Sequence, residues 1–247
     1  MFLPLVNVFS GEYRKYSYRS ATPEESLAFY KEHGYFDNNI RDKIIECIWF
    51  AQEAAEYMCR VGADNGLESF IEDALGESIN FEKMIRSMPS TAPSVLLDYK
   101  ISPNITNLLD VDRAINIHGR YLSDGQYLFH GGNLDDFKDD LVTKRPLSTS
   151  FCPQVALRNA EWGGKAYHAG KVDLLVLKVK NPKTKVFVYD RNGEHSNEKE
   201  ILFASGARLV VKKNKIVRCN HLVGAVDEFK RVVDKNVPCS LIEVDIS

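Results

Sequence analysis

Three short segments hold the side chains best suited to chemistry. In Asn197-Glu198-Lys199-Glu200-Ile201-Leu202-Phe203, a strand would bring Glu198 and Glu200 to one face, because residues two apart share a side. Neighbouring carboxylates repel, which raises one pKa and divides the labour between charge stabilisation and proton acceptance. Two solvated acids on an exposed strand, with Lys199 opposite, would have the same spacing. In Pro146-Leu147-Ser148-Thr149-Ser150-Phe151, Ser148 and Ser150 share a face, as binding hydroxyls or as an ordinary edge strand. In Tyr127-Leu128-Phe129-His130-Gly131-Gly132, the glycines let a ligand approach the main chain and His130 offers a directional hydrogen bond. A strand-end turn with a satisfied histidine is the plainer alternative.

All three segments read as strands. Further strands are expected at Val172–Lys180, Lys185–Tyr189, Ala207–Lys212, Lys215–Cys219 and Ser240–Val244, with helices near 153–162 and 223–234. The first hundred residues read mainly as helices. Thr22-Pro23-Glu24-Glu25 is a helix start that Gly34 ends, and helical spacing runs from Asn39 to Arg60. Two shorter helices are expected at 67–75 and 79–88. The texture changes near 105, which divides a helical region at 1–105 from a strand-rich domain at 106–247. Many short strands with few helices predict an α+β fold with mainly antiparallel sheets.

The 247 residues carry 32 basic and 34 acidic side chains, which excludes a strongly basic scaffold. The charge is unevenly spread: residues 1–100 hold 10 basic and 16 acidic groups, whereas 171–220 hold 12 and 5. Five cysteines without CxxC spacing argue for reduced thiols and a cytoplasmic setting, and six histidines without HExxH give no support for a metal site. No apolar run approaches a membrane span, and the short apolar start is not a cleaved signal. Neither GxGxxG, a P-loop nor GxSxG occurs.

In this order, the three segments resemble the mono-ADP-ribosyltransferases, above all the clostridial-toxin-like group, with its aromatic-Arg-Gly, Ser-Thr-Ser and Glu-x-Glu strands. The second and third are intact as Ser148-Thr149-Ser150 and Glu198-Lys199-Glu200. The first departs: His130 stands where the toxin group has Arg, a His-Gly similar to the diphtheria-toxin and poly(ADP-ribose) polymerase branch. The resemblance covers about residues 120–220. It implies two packed sheets around an NAD cleft, preceded by a helical region. It also implies transfer of ADP-ribose from NAD+ to a macromolecule without a metal. By that resemblance Glu200 stabilises the developing ribose cation, Glu198 orients or deprotonates the nucleophile, and Ser148 holds Glu200. His130 and Gly131, with Ser148, Thr149 and Ser150, bind NAD. Arg145 and Arg158 are candidates for the missing phosphate-binding charge, and 190–197, entered at Tyr189, resembles the family's target-recognition loop.

The first Glu of Glu-x-Glu goes with nitrogen acceptors, so protein arginine and a nucleic-acid base amine stand nearly level. The basic excess at 171–220 leans toward an anionic target, although lysines commonly solvate strand edges. An NAD glycohydrolase and a non-catalytic nucleotide- or partner-binding protein are the alternatives. A toxin or effector would suit such a chain, with an antitoxin or inhibitor protein among its partners.

Overall fold

The computed structural model describes residues 2–132, 140–189 and 199–247. Tyr13–Ser20 (β1) leads through Pro23–His33 (α1) to Asn39–Ile48 (β2), and the two strands pair antiparallel as a separate small sheet. Helices Ala51–Val61 (α2), Asn65–Glu77 (α3), Ile79–Arg86 (α4), Ser94–Ile101 (α5) and Leu108–His118 (α6) follow. Next come Tyr127–Gly132 (β3), Asp140–Val142 (β4), Leu147–Ser150 (β5), Pro153–Glu161 (α7), a 3₁₀ turn at Trp162–Gly164, and Lys165–Ala169 (α8). The chain closes with Val172–Val179 (β6), Val186–Val188 (β7), Glu200–Phe203 (β8), Arg208–Val226 (β9) and Val232–Ile246 (β10).

The fold is α+β. Eight strands form one hydrogen-bonded sheet in the order β4-β9-β10-β6-β3-β5-β8-β7, in which only the β10–β6 contact is parallel. The sheet has a seam. β3 runs alongside β6 for its whole length, yet among the described residues it meets β5 in a single registered pair, Phe129 with Ser150. The two expected sheets are therefore two limbs of one sheet, one carrying His130 and the other carrying Ser148 and Glu200. Buried β6 lies between β10 and β3 in the larger limb, and α7 lies against β3.

Gly131 makes that helix–strand contact close enough. A Cβ there would fall 1.7 Å from the carbonyl oxygen of Ala156 on α7. The absent side chain thus makes room for a helix backbone, while the main chain of Gly131 still faces the cleft described below.

Two expected helices are corrected. Residues 39–48 are β2, and only Ala51–Val61 is helical. Ile40, Ile44, Ile45 and Ile48 fit a helical spacing, but their β-branched side chains suit an extended ribbon, which β1 completes by pairing. α2 takes the part of the pattern that a helix can bury, placing Ala51, Ala54, Ala55, Tyr57, Met58 and Cys59 in the core. The helix expected at 223–234 is the end of β9, a turn and the start of β10. His221, Val223 and Ala225 are buried while Leu222, Gly224 and Val226 are exposed, a period of two that a helix cannot satisfy. The strands expected at 207–212 and 215–219 are both parts of β9.

Other local signals translate directly. Thr22 Oγ1 accepts from the Glu25 N–H at 3.3 Å and Glu25 returns the bond to the Thr22 N–H at 2.9 Å, a capping box that starts α1. Gly34 ends it at φ 79°, in the left-handed region. The helices expected at 67–75, 79–88 and 153–162 are α3, α4 and α7. All five cysteines are free thiols, and among the described residues no helix is long and apolar enough to cross a membrane.

Candidate active site

β5 and β8 pair antiparallel with Ser148 opposite Leu202 and Ser150 opposite Glu200. Ser148 is thus the diagonal neighbour of Glu200 on the same face, within reach across the ladder. Its hydroxyl donates to Glu200 Oε1 at 2.5 Å. Glu200 is only 7% exposed, so it is not the solvated acid of an ordinary strand face. A buried carboxylate needs compensating charge and hydrogen bonds. Lys100 from the last turn of α5 supplies charge, with Nζ 3.2 Å from Oε2 and a side chain only 6% exposed.

Lys100 is itself held from behind. Its ammonium lies 4.7 Å from the centroid of the Tyr189 ring, a cation–π contact, and the Tyr189 hydroxyl donates to the Leu96 carbonyl at 2.9 Å. α5 is thereby tied to the residue that follows β7.

From the other limb, His130 Nδ1 lies 2.7 Å from the Ser148 carbonyl oxygen. A carbonyl only accepts, so Nδ1 carries the proton and neutral His130 presents Nε2 as an acceptor. Desolvation holds the imidazole pKa below its ordinary value; the Ser148 bond opposes this and the nearby Lys165 charge adds to it. Neutral His130 is suited to accept from a hydroxyl and unsuited to replace the positive charge of an arginine.

These groups line one cleft of about 620 Å³, together with Tyr99, Ile101, Asn159, Trp162 and Lys165. Gly131, Thr149 and Ser150 also line it, but the two hydroxyls have structural partners. Thr149 Oγ1 donates to the Ile201 carbonyl at 2.7 Å, and Ser150 Oγ accepts from the Cys152 N–H at 3.0 Å at the entry to α7. Glu198 and the segment 190–197 lie outside the described residues.

Lys199 turns away from the cleft. Its φ of 47° is left-handed, unusual for a residue with a Cβ. The ammonium reaches Glu72 at 2.8 Å and Glu68 at 3.6 Å on α3. Glu68 also accepts from Gln154 at 2.6 Å and pairs with Arg158. Arg158 is therefore committed outside the cleft, and Arg145 donates to the Pro103 carbonyl on its rim.

Sequence reasoning passed over Lys100, Trp162 and Lys165. Lys100 lies in the last turn of a largely apolar helix, with no mark of its burial in the sequence. Trp162-Gly163-Gly164-Lys165 carries one local signal, the glycine pair. Both glycines have positive φ, 64° and 76°, letting the chain turn between α7 and α8 with Trp162 76% exposed beside the cleft.

No protein-family profile and no curated protein sequence matches the chain. Solved structures similar to it include ADP-ribosyltransferases. Vis from Vibrio splendidus, solved with agmatine, is 16% identical over 75% of this chain and 86% of that one, with a TM-score of 0.45. The ADP-ribosylating toxin BECa of C. perfringens, solved with NADH, is 12% identical over 72% and 48%, at 0.41. C3stau2 from S. aureus, solved with NAD, is 12% identical over 67% and 92%, at 0.40.

Proposed function

We propose that this chain is an NAD-dependent mono-ADP-ribosyltransferase that moves ADP-ribose to a nitrogen nucleophile on a macromolecule. The reading rests on the convergence of His130, Ser148 and Glu200, from three strands and both limbs of the sheet, on a single cleft. Exposed strand acids and serines would have no reason to meet a histidine there.

Loss of nicotinamide leaves positive charge on the ribose. Glu200 is the buried carboxylate placed to stabilise that charge as it develops, and Ser148 fixes one of its oxygens so that little reorganisation is needed. His130 accepts a ribose hydroxyl through Nε2. The main chain of Gly131 offers hydrogen bonds to the nicotinamide amide. Lys165, exposed on the cleft wall with a main-chain carbonyl of Asn159 at 3.5 Å, meets the anionic part of the dinucleotide. Thr149 and Ser150 act at one remove, by holding β5 to β8 and to α7. Glu198 takes the role of orienting or deprotonating the acceptor nitrogen, which protein arginine and a nucleic-acid base amine both possess.

The decisive experiment incubates the protein with labelled NAD+ and whole lysate, then divides the product into nuclease-treated and protease-treated halves. Covalent label is expected in one of the two fractions, and Glu200→Gln should reduce it about 100- to 1,000-fold. Label undiminished in Glu200→Gln would overturn the assignment. Nicotinamide release without covalent label would replace the transferase by a glycohydrolase.

A further inference from the structure

We infer that Lys199 is a positioning residue for the transfer step. Glu72 and Glu68 of α3 hold its ammonium, and the left-handed turn thereby kept at Lys199 sets Glu198 against Glu200, so that ADP-ribose passes to the acceptor rather than to water. This rests on the transferase reading above and deepens it by naming what outside the cleft governs that partition.

A regular strand would carry Glu198 and Glu200 to one face by its period of two, whatever residue stood between them. Here β8 begins at Glu200, and Lys199 before it has a φ of 47°. That torsion interrupts the pleat between the two acids. A left-handed residue with a Cβ costs free energy and persists only where its surroundings over-determine it. The main chain and the side chain of Lys199 are both held. Its carbonyl accepts from the Phe151 N–H at 3.3 Å, just past the end of β5. Its ammonium, on a side chain only 5% exposed, lies 2.8 Å from Glu72 and 3.6 Å from Glu68. A buried ammonium needs such counter-charge, so the side chain is committed to α3 and the torsion with it.

α3 is tied to the other limb as well. Glu68 accepts from Gln154 at 2.6 Å and pairs with Arg158, both on α7. Gln154 also donates to Asn65, the first residue of α3, at 3.2 Å. α7 in turn backs β3 where Ala156 meets Gly131. One helix therefore sets the entry to Glu200 and the strand that carries His130. Glu200 is secured by the β5–β8 ladder and by Ser148, so the torsion at Lys199 acts on the carboxylate before it, the one assigned to the acceptor nitrogen.

In transfer and in hydrolysis alike, the ribose C1′–nicotinamide bond breaks and its electron pair leaves with nicotinamide. A bond then forms from C1′ to the acceptor nitrogen or to a water oxygen. The nucleophile's proton passes to Glu198 in the first case and to solvent in the second. Total nicotinamide release counts both outcomes, and covalent label counts only the first.

The test follows both products with labelled NAD+ and whole lysate in wild type, Lys199→Met, Lys199→Arg, Glu72→Gln and the Lys199→Met/Glu72→Gln double variant. The ratio of label to nicotinamide should fall about 10- to 100-fold in Lys199→Met, while KM for NAD+ changes less than about twofold. Lys199→Arg keeps the charge and should recover most of the ratio. Glu72→Gln should lower the ratio in the same direction and add little once Lys199 is Met. Glu72 is 43% exposed, so its variant keeps the test open if Lys199→Met fails to fold. A purely structural ion pair would lower both products together. A wild-type ratio in folded Lys199→Met, or in Glu72→Gln where Lys199→Met does not fold, would therefore overturn the inference alone, as would additive effects of the two substitutions. Wild-type protein that yields no nicotinamide, or nicotinamide without label, would overturn the transferase reading with it.

Discussion

Ser148 donates to Glu200 across the β5–β8 ladder at 2.5 Å, although the strands pair Ser148 with Leu202 and Glu200 with Ser150. In the diagonal arrangement Ser150 Oγ accepts from the Cys152 N–H at the turn into α7, while Ser148 donates to the carboxylate. A one-residue slip of β5 would send both serines to the opposite face.

Ser148→Ala removes the donor and leaves the ladder intact. A hydrogen bond to a charged group is worth about 1.5–3 kcal/mol, so transferase turnover should fall about 10- to 100-fold. Little change in KM for NAD+ is expected. Steady-state nicotinamide release checks this, and an unaltered kcat would show that Ser148 does not orient Glu200.

His130 makes stability depend on pH. Its folded pKa lies below 6.5, chiefly through burial, so the unfolded chain takes up the proton first. The stabilisation is complete above the unfolded value and is lost as pH falls through it toward the lowered folded value. His130→Gln has no such proton to take up. Its Tm deficit relative to wild type should shrink between about pH 7.5 and 5.5, and a deficit constant with pH would contradict the neutral histidine.

The adjacent glycines should behave differently. Gly131→Ala drives a methyl group to 1.7 Å from the Ala156 carbonyl and should cost about 3 kcal/mol or more, visible as loss of soluble protein or a large fall in Tm. At Gly132 the nearest atom is His130 Nε2, at 2.9 Å, the far end of a side chain. Gly132→Ala should fold and weaken NAD+ binding by displacing that ring. Equal effects of the two on Tm would contradict this division.

Lys165→Met tests the exposed wall of the cleft. Because an exposed charge is screened, the expected loss is only about two- to fivefold in NAD+ affinity, fading at high salt, with kcat retained. A fall in kcat at unchanged affinity would place Lys165 in the chemistry instead.

Thr22→Ala separates local from global stability. The lost cap is worth about 1 kcal/mol to α1, but α1 buries no residue in the core. Amide exchange in Pro23–His33 should accelerate while the global Tm stays unchanged.

The parts of this molecule legible in its sequence are those set by short-range chemistry. Thr22, Glu25 and Gly34 bound α1 as their side chains require. Ser148 and Glu200 sit on strands whose period of two already gives each a face. Lys100 was invisible because its meeting with Glu200 is made by tertiary packing of α5 against the β7–β8 end of the sheet, which leaves no mark in local pattern. Ile40, Ile44, Ile45 and Ile48 misled for the opposite reason. Their spacing satisfies a helix while their branching satisfies a strand, and the pairing partner that decides the matter lies in β1, at Tyr13–Ser20.

The seam at Phe129 and Ser150 gives the cleft a mechanical character. One limb carries His130 and Gly131, the other Ser148 and Glu200, and among the described residues a single registered pair joins them at β3 and β5. The ladders within each limb are far longer than the joint between them. The bond between His130 Nδ1 and the Ser148 carbonyl crosses the same joint, so one strand pair and one side-chain bond together hold the two halves of the site in place.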